Sequence, residues 1–403
     1  MISEIALFVF IPFCKIKCTY CDFNVYAHLA RWREPYANAV AREIRNSKLE
    51  IQNPHPARSI YFGGGTPSLM PVASVGKILC ACEQSYSLIP DPEITLEANP
   101  GNVDADKLRA LRSLGVNRLS IGAQSFDDAT LRRLNRGHTV ADAVATYDLA
   151  RRVGFHNISL DFIYGLPWQT LDDWRATLER AIALAPEHLS LYALKLEDGT
   201  GLAHQIARGK YPMPDDDLAV EMYELAEERV DAAGYEQYEI SNWARGIQNS
   251  KFQIPNSIDP ISNLQSPISN LQSRHNLTYW RNEPYLGFGA GAHSCFGGQR
   301  FWNVLSPLEY IQRIERGESV VAGHEPINRE LEMAETMILG LRLNEGIGFS
   351  EFAARYGEDA RVKYARQFNE SRELGLLELS DERARLTPRG RLLSNEVFWR
   401  FLP

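Results

Sequence analysis

The sequence predicts an α/β protein: a partial (β/α)6 barrel of TIM-like build, followed by a small, mainly helical C-terminal domain. Short apolar runs rich in β-branched residues recur, and each is followed by a longer amphipathic stretch, the alternation of βα units around a buried parallel sheet. The 403 residues also exceed the roughly 250 to 300 that one core fills, so a second unit is expected.

Six runs read as strands: Ile5 to Phe10, Ser59 to Phe62, Glu93 to Glu97, Arg118 to Ile121, Ile158 to Phe162 and His188 to Tyr192. Helices between them carry legible caps, with Asp104 before Leu108, Leu111 and Leu114, Thr139 before Ala143 to Arg152, and Thr170 before Trp174, Leu178 and Ile182. After Tyr192 a helix is expected from Asp215 to Ala233, then a polar and aromatic stretch to Trp243. The segment 246–273 reads as a disordered surface insertion, because PISNLQS repeats in tandem and Asn, Ser, Gln and Pro cannot build a core. From Arg329, the positions Leu331, Met333, Met337, Leu339 and Leu341, then Phe352, Tyr356 and Leu374 to Leu379, predict helices and a short β-wing. The division is therefore 1–235 for the barrel core, 236–328 for a connecting region holding the insertion, and 329–403 for the C-terminal domain.

Hydrophobic residues at 44% and charged residues at 23% are ordinary for a globular chain. A net charge of -8 without a long basic run argues against nucleic acid as a partner. No run approaches the roughly 18 apolar residues of a membrane span, and Ile5 to Phe13 lacks the basic lead of a signal peptide, so a cytoplasmic location is expected. Of six cysteines, three crowd into eight positions, which suits metal binding in a reducing compartment better than a disulfide framework.

Cys14, Cys18 and Cys21 follow the first strand, where the carboxyl ends of parallel strands gather ligands. Three thiolates suit zinc or iron. A closed zinc site needs a fourth ligand, and His28 is a poor one. A 4Fe-4S cluster held by three thiolates keeps one iron open for a substrate group. Cys80, Cys82 and Cys295 read as packing residues, the last in a Gly-rich turn. Gly63, Gly64 and Gly65 let the backbone bend tightly after the second strand, and no Lys-Ser/Thr follows as in a phosphate loop.

Ile11-Pro12-Phe13-Cys14 through Cys21-Asp22-Phe23 resembles the cluster loop of the radical SAM superfamily. That resemblance implies a 4Fe-4S cluster on Cys14, Cys18 and Cys21 whose open iron chelates the amino and carboxylate groups of S-adenosylmethionine. It further implies that Gly64, Gly65 and Thr66 hold the amino group, with Tyr20, Glu97, Gln124, Arg136 and Asp161 completing the S-adenosylmethionine set. The residue types fit, since an Arg pairs with a carboxylate while Gln and Asp bond ribose hydroxyls. Phe8 falls in this set where the family usually has Tyr, and Phe10 stands where its motif usually has His, so two hydrogen bonds are lost.

Within the superfamily, the chain outside the insertion resembles both the oxygen-independent coproporphyrinogen oxidases and the haem chaperones. Phe23 stands where the oxidases carry a further Cys, and their long N-terminal extension has no counterpart before Cys14. The chaperones carry HNxxYW, matched by His275, Asn276, Tyr279 and Trp280. The resemblance thus implies haem binding, with His275 as candidate axial ligand and Asn276, Tyr279 and Trp280 about the porphyrin. It implies transfer to haem-accepting respiratory proteins, with transient membrane association during delivery, a separate electron donor and a homodimer as an open option. An enzymatic role, decarboxylating coproporphyrinogen III, is the alternative.

Overall fold

Every one of the six apolar runs becomes a strand, and each is longer than its apolar centre. In this computed structural model, which describes residues 4–50, 55–246 and 271–403, they are β1 Ile5–Ile11, β2 Pro56–Gly64, β3 Ser87–Ala98, β4 Arg118–Gln124, β5 Ile158–Tyr164 and β6 His188–Ala193. They lie side by side in chain order, all parallel. Pairing with a neighbour satisfies backbone groups beyond the apolar centre, which explains the extra length.

The intervening helices begin at the caps read from the sequence. Asp104 accepts from Lys107 N–H, and Thr139 and Thr170 each form reciprocal capping boxes with Asp142 and Asp173. One face of each helix is buried against the sheet in a single apolar core that runs from Ile5 to Val320.

The sheet does not end at six strands. β7 Tyr235–Glu239 and β8 Asn242–Arg245 continue it antiparallel beyond β6. On the other edge, β9 Tyr285–Phe288 lies parallel to β1, followed by β10 His293–Phe296, β11 Gln299–Asn303 and β12 Val321–Pro326. The span expected merely to connect the core to the C-terminal domain therefore supplies both margins of a twelve-stranded sheet. These strands of four to six residues carry no clear alternation, and an existing edge templates them. Cys295, expected in a turn, sits on β10. Cys82 is fully buried as expected, whereas Cys80 is exposed.

Both ends of the insertion expected at 246–273 belong to the described fold. Residues 247–270 lie outside the described residues. Ser273, however, is fully buried and caps the helix Arg274–Trp280, and Leu271 packs beside Leu277. The correction arises because a polar residue at a helix start can be a buried cap as readily as solvent-facing linker.

A second apolar core joins Met333, Met337, Phe349, Phe352, Tyr364, Phe368 and Phe401 with the small sheet of β13 Ile347–Gly348, β14 Leu377–Leu379 and β15 Arg383–Leu386. Ion pairs Arg391 to Glu227 (2.7 Å) and Arg342 to Glu239 (3.2 Å) tie it to the larger body. Among the described residues, no helix is long and apolar enough to cross a membrane.

Candidate functional site at the carboxyl ends of the strands

The β1 strand delivers Cys14 at its end, and the chain then loops through Cys18 and Cys21 before Tyr26 N–H returns to Pro12 O at 2.8 Å. Cys14 N–H donates to Tyr26 O at 3.1 Å, so the loop is closed at its base by backbone bonds. All three thiols line one cavity of about 490 Å³. Burial pushes the Cys21 thiol up to about 11 and also raises Cys14, so these two thiols stay protonated at neutral pH and metal uptake must release their protons. Among the described residues no three Cys, His, Asp or Glu side chains converge on one point as around a single ion. His28 is exposed.

The glycine turn after β2 is fastened to that loop. Gly65 N–H donates to Ile11 O and Thr66 N–H to Phe13 O, both at 2.8 Å, while Gly64 N–H donates to Glu97 Oε2 at 3.0 Å. At Gly64, φ is +109°, and an added Cβ would stand 2.6 Å from the Phe10 ring. At Gly65 a Cβ would stand 2.8 Å from Phe13 O. Both positions therefore require glycine. Their N–H groups are committed within the protein, which leaves carbonyl oxygens as the groups an amine could meet.

Around the same cavity stand Tyr20, Thr66, Glu97, Gln124, Arg136 and Asp161. Arg136 reaches Cys18 Sγ at 3.5 Å, Asn99 Oδ1 at 2.9 Å and Gly122 O at 2.7 Å. Burial pushes Glu97 up to about 7, against the pull of the Tyr61 hydroxyl that donates to it at 2.9 Å. Burial likewise raises Asp161, although Ser120 and Ser159 donate to its two oxygens at 2.7 and 2.9 Å. Gln124 closes β4 with φ of +66°, a left-handed turn uncommon for a non-glycine residue and set here at the cavity wall. The sequence reading missed Asn99, Ser120 and Arg118, which also line the cavity. Alternation along β4 was the available signal, since Arg118, Ser120, Gly122 and Gln124 share one face.

Phe8 is not among the cavity-lining residues. Its ring lies 6.0 Å from those of both Tyr61 and His275, in an aromatic column inside the barrel. The HNLTYW segment forms the helix Arg274–Trp280, and it scatters its candidates. Asn276 lines the cavity. His275 is 1% exposed, its Nδ1 2.9 Å from Ser59 Oγ and its Nε2 3.0 Å from Tyr279 Oη. Burial, aided by the Arg118 charge, pulls its pKa down to about 3. Both ring nitrogens are thus occupied, and the axial-ligand role expected of His275 is not one this arrangement offers. Trp280 points the other way, under the Arg342 guanidinium at 4.2 Å, so it shares no porphyrin-sized face with Tyr279.

The Radical SAM superfamily model matches residues 8–181, and the HemN C-terminal domain model matches residues 327–393. Over 397 residues the chain is 36% identical to the haem chaperone HemW of Bacillus subtilis (strain 168), covering 98% of each protein. The chain belongs to the HemW family. A second relative of this HemW-family protein is the mitochondrial radical S-adenosyl methionine domain-containing protein 1 of Mus musculus, 39% identical over 86% of this chain and 74% of that one. Coproporphyrinogen III oxidase (HemN) from Escherichia coli shares the fold, with a TM-score of 0.81 at 22% identity over 99% of this chain and 90% of that one. Family membership implies a 4Fe-4S cluster and S-adenosylmethionine, and the donor set fits them: three thiols on one loop, a glycine cradle against Cys14, and a buried Arg136 with an unpartnered Nε beside Cys18.

Proposed function

We propose that the chain is a haem chaperone, which binds haem and passes it to haem-dependent respiratory proteins in the cytoplasm or at a membrane surface, its cluster reduced by a separate electron donor. The observation that carries this reading is full-length similarity to HemW proteins, joined to one cavity that gathers the three thiols and the strand-end residues. Cys14, Cys18 and Cys21 would hold the cluster, which supplies an open iron for S-adenosylmethionine. Arg136 would balance thiolate and carboxylate charge, while Gln124 and Asp161 would orient ribose hydroxyls and the Gly64 to Thr66 carbonyls would take the amino group. Tyr20 and Glu97 wall the same space. Three exposed apolar side chains, Ile16, Phe23 and Tyr192, stand at this cavity. Together they form an apolar surface of the kind that marks a binding site, suited to a macrocycle. The HNLTYW helix would act through Asn276 at the cavity and through the column of Phe8, Tyr61 and His275, without His275 bonding iron.

Anaerobic reconstitution should give about four iron per chain, and Cys14→Ala, Cys18→Ala or Cys21→Ala should each abolish it, while Cys80→Ala, Cys82→Ala and Cys295→Ala should not. The reconstituted protein should take up haem stoichiometrically. Consumption of S-adenosylmethionine with coproporphyrinogen, without haem uptake, would instead support the decarboxylating alternative.

A further inference from the structure

Arg118 opens β4 at the end of the strand remote from Gln124, and alternate residues Ser120 and Gly122 continue the same cavity wall upward. It is 2% exposed, its Nε is fully buried without a partner, and no ion pair reaches its guanidinium among the described residues. Directly across on β3, Thr95 Oγ1 is also buried and unpartnered. Glu93 and Asp161 favour its charge through space, but the neighbouring carboxylates bond other donors and leave its N–H groups unmet. Glu97 takes Tyr61 and Gly64, Asp161 takes two serines, and Glu93 takes Ser273 Oγ and the N–H groups of Arg274 and His275. A buried guanidinium with unmet donors is costly unless an anion completes it, and a planar fork matches a carboxylate best.

We propose that Arg118 is an anion anchor at the floor of the cavity, placed to take a carboxylate of a ligand that enters between the strands. The carboxylate is a tetrapyrrole propionate, because the amino-acid end of S-adenosylmethionine is given to the open iron and Arg136 at the other end of the strands. The tetrapyrrole source rests on the haem-chaperone reading.

The test is equilibrium titration of the cluster-loaded protein and its Arg118→Gln and Arg118→Lys variants with haemin, haemin dimethyl ester and S-adenosylmethionine. Arg118→Gln should weaken haemin at least tenfold and leave S-adenosylmethionine unchanged, with Arg118→Lys falling between it and the unaltered protein. Loss confined to haemin, with the ester insensitive to the substitution, identifies a propionate; loss confined to S-adenosylmethionine overturns the proposal. Unchanged affinity for haemin overturns it too. A protein that never binds haemin sinks the haem reading, and titration of the same variants with coproporphyrin III still decides Arg118. If Arg118→Gln fails to fold, Arg118→Lys and the comparison of haemin with its ester on the unaltered protein remain, and equal affinities for those two and for Arg118→Lys with all ligands overturn the assignment.

Discussion

His275 bonds Ser59 of β2 through one nitrogen and Tyr279 of its own helix through the other, so its protonation is a matter of stability. Its folded pKa of about 3 lies below the ordinary 6.5. Between those values the unfolded chain takes up a proton that the folded chain refuses. Stability is therefore complete above about pH 6.5 and declines as pH falls toward 3. One such residue removes about 2 kcal/mol at pH 5 relative to pH 7. His138, pulled down to about 4 chiefly by burial, acts in the same direction. Urea denaturation at pH 7 and pH 5 should show this loss, and His275→Gln should reduce it; a variant with the same pH dependence as the unaltered protein would show that His275 is not responsible. The same substitution should leave iron content intact, because His275 bonds Ser59 and Tyr279 and no cysteine.

At the scale of elements, two short segments hold the site in place. The turn Gly63 to Thr66 meets the cysteine loop through backbone bonds, and Gly64 sits at a positive φ against the Phe10 ring. Gly64→Ala should cost about 1 to 3 kcal/mol in backbone strain and weaken S-adenosylmethionine binding, which calorimetry of the cluster-loaded protein measures. The helix Arg274–Trp280 depends on Ser273, whose hydroxyl accepts from Asn276 N–H and donates to Glu93. Ser273→Ala should lower stability by about 1 kcal/mol or more, since a buried cap and a carboxylate partner are lost together. Excising 247–270 with a short linker should keep the cluster, whereas extending the cut through Ser273 should destabilise the fold. Melting curves of the two deletions separate those outcomes.

For the whole molecule, the larger body and the C-terminal core meet through apolar packing at Ile240 and Leu392, a bridge between Glu239 and Leu343, and charged contacts, of which the buried one matters most. Glu239 on β7 is fully buried and is paired with Arg342 at 3.2 Å and with Asn242. Removing the arginine strands a carboxylate whose pKa burial already raises. Arg342→Ala should therefore cost about 3 kcal/mol, and Arg342→Ala with Glu239→Gln should recover much of it, as a double-mutant cycle of denaturation midpoints would show. Arg391, paired with the less buried Glu227, should matter less.

The sequence by itself determined the six parallel strands, their helix caps, the cysteine loop and the glycine turn, because each rests on local periodicity, local hydrogen bonding or adjacent residues. Asp104, Thr139 and Thr170 were readable for that reason. The strand-end residues Glu97, Gln124, Arg136 and Asp161 were legible through resemblance as one S-adenosylmethionine set, whereas Asn99 and Ser120 beside them were not. Only tertiary structure decided that β7 to β12 extend both sheet edges, since strands of four to six residues attach through β8 to β6 and through β9 to β1, far away in the chain. Only it could turn Phe8 and His275 inward, for an aromatic residue or an imidazole on a helix reads alike whether it packs or binds. Arg118 went unnoticed for the same reason: a charged residue at a strand start is ordinarily exposed, and its burial without a partner is created by strands that close over it.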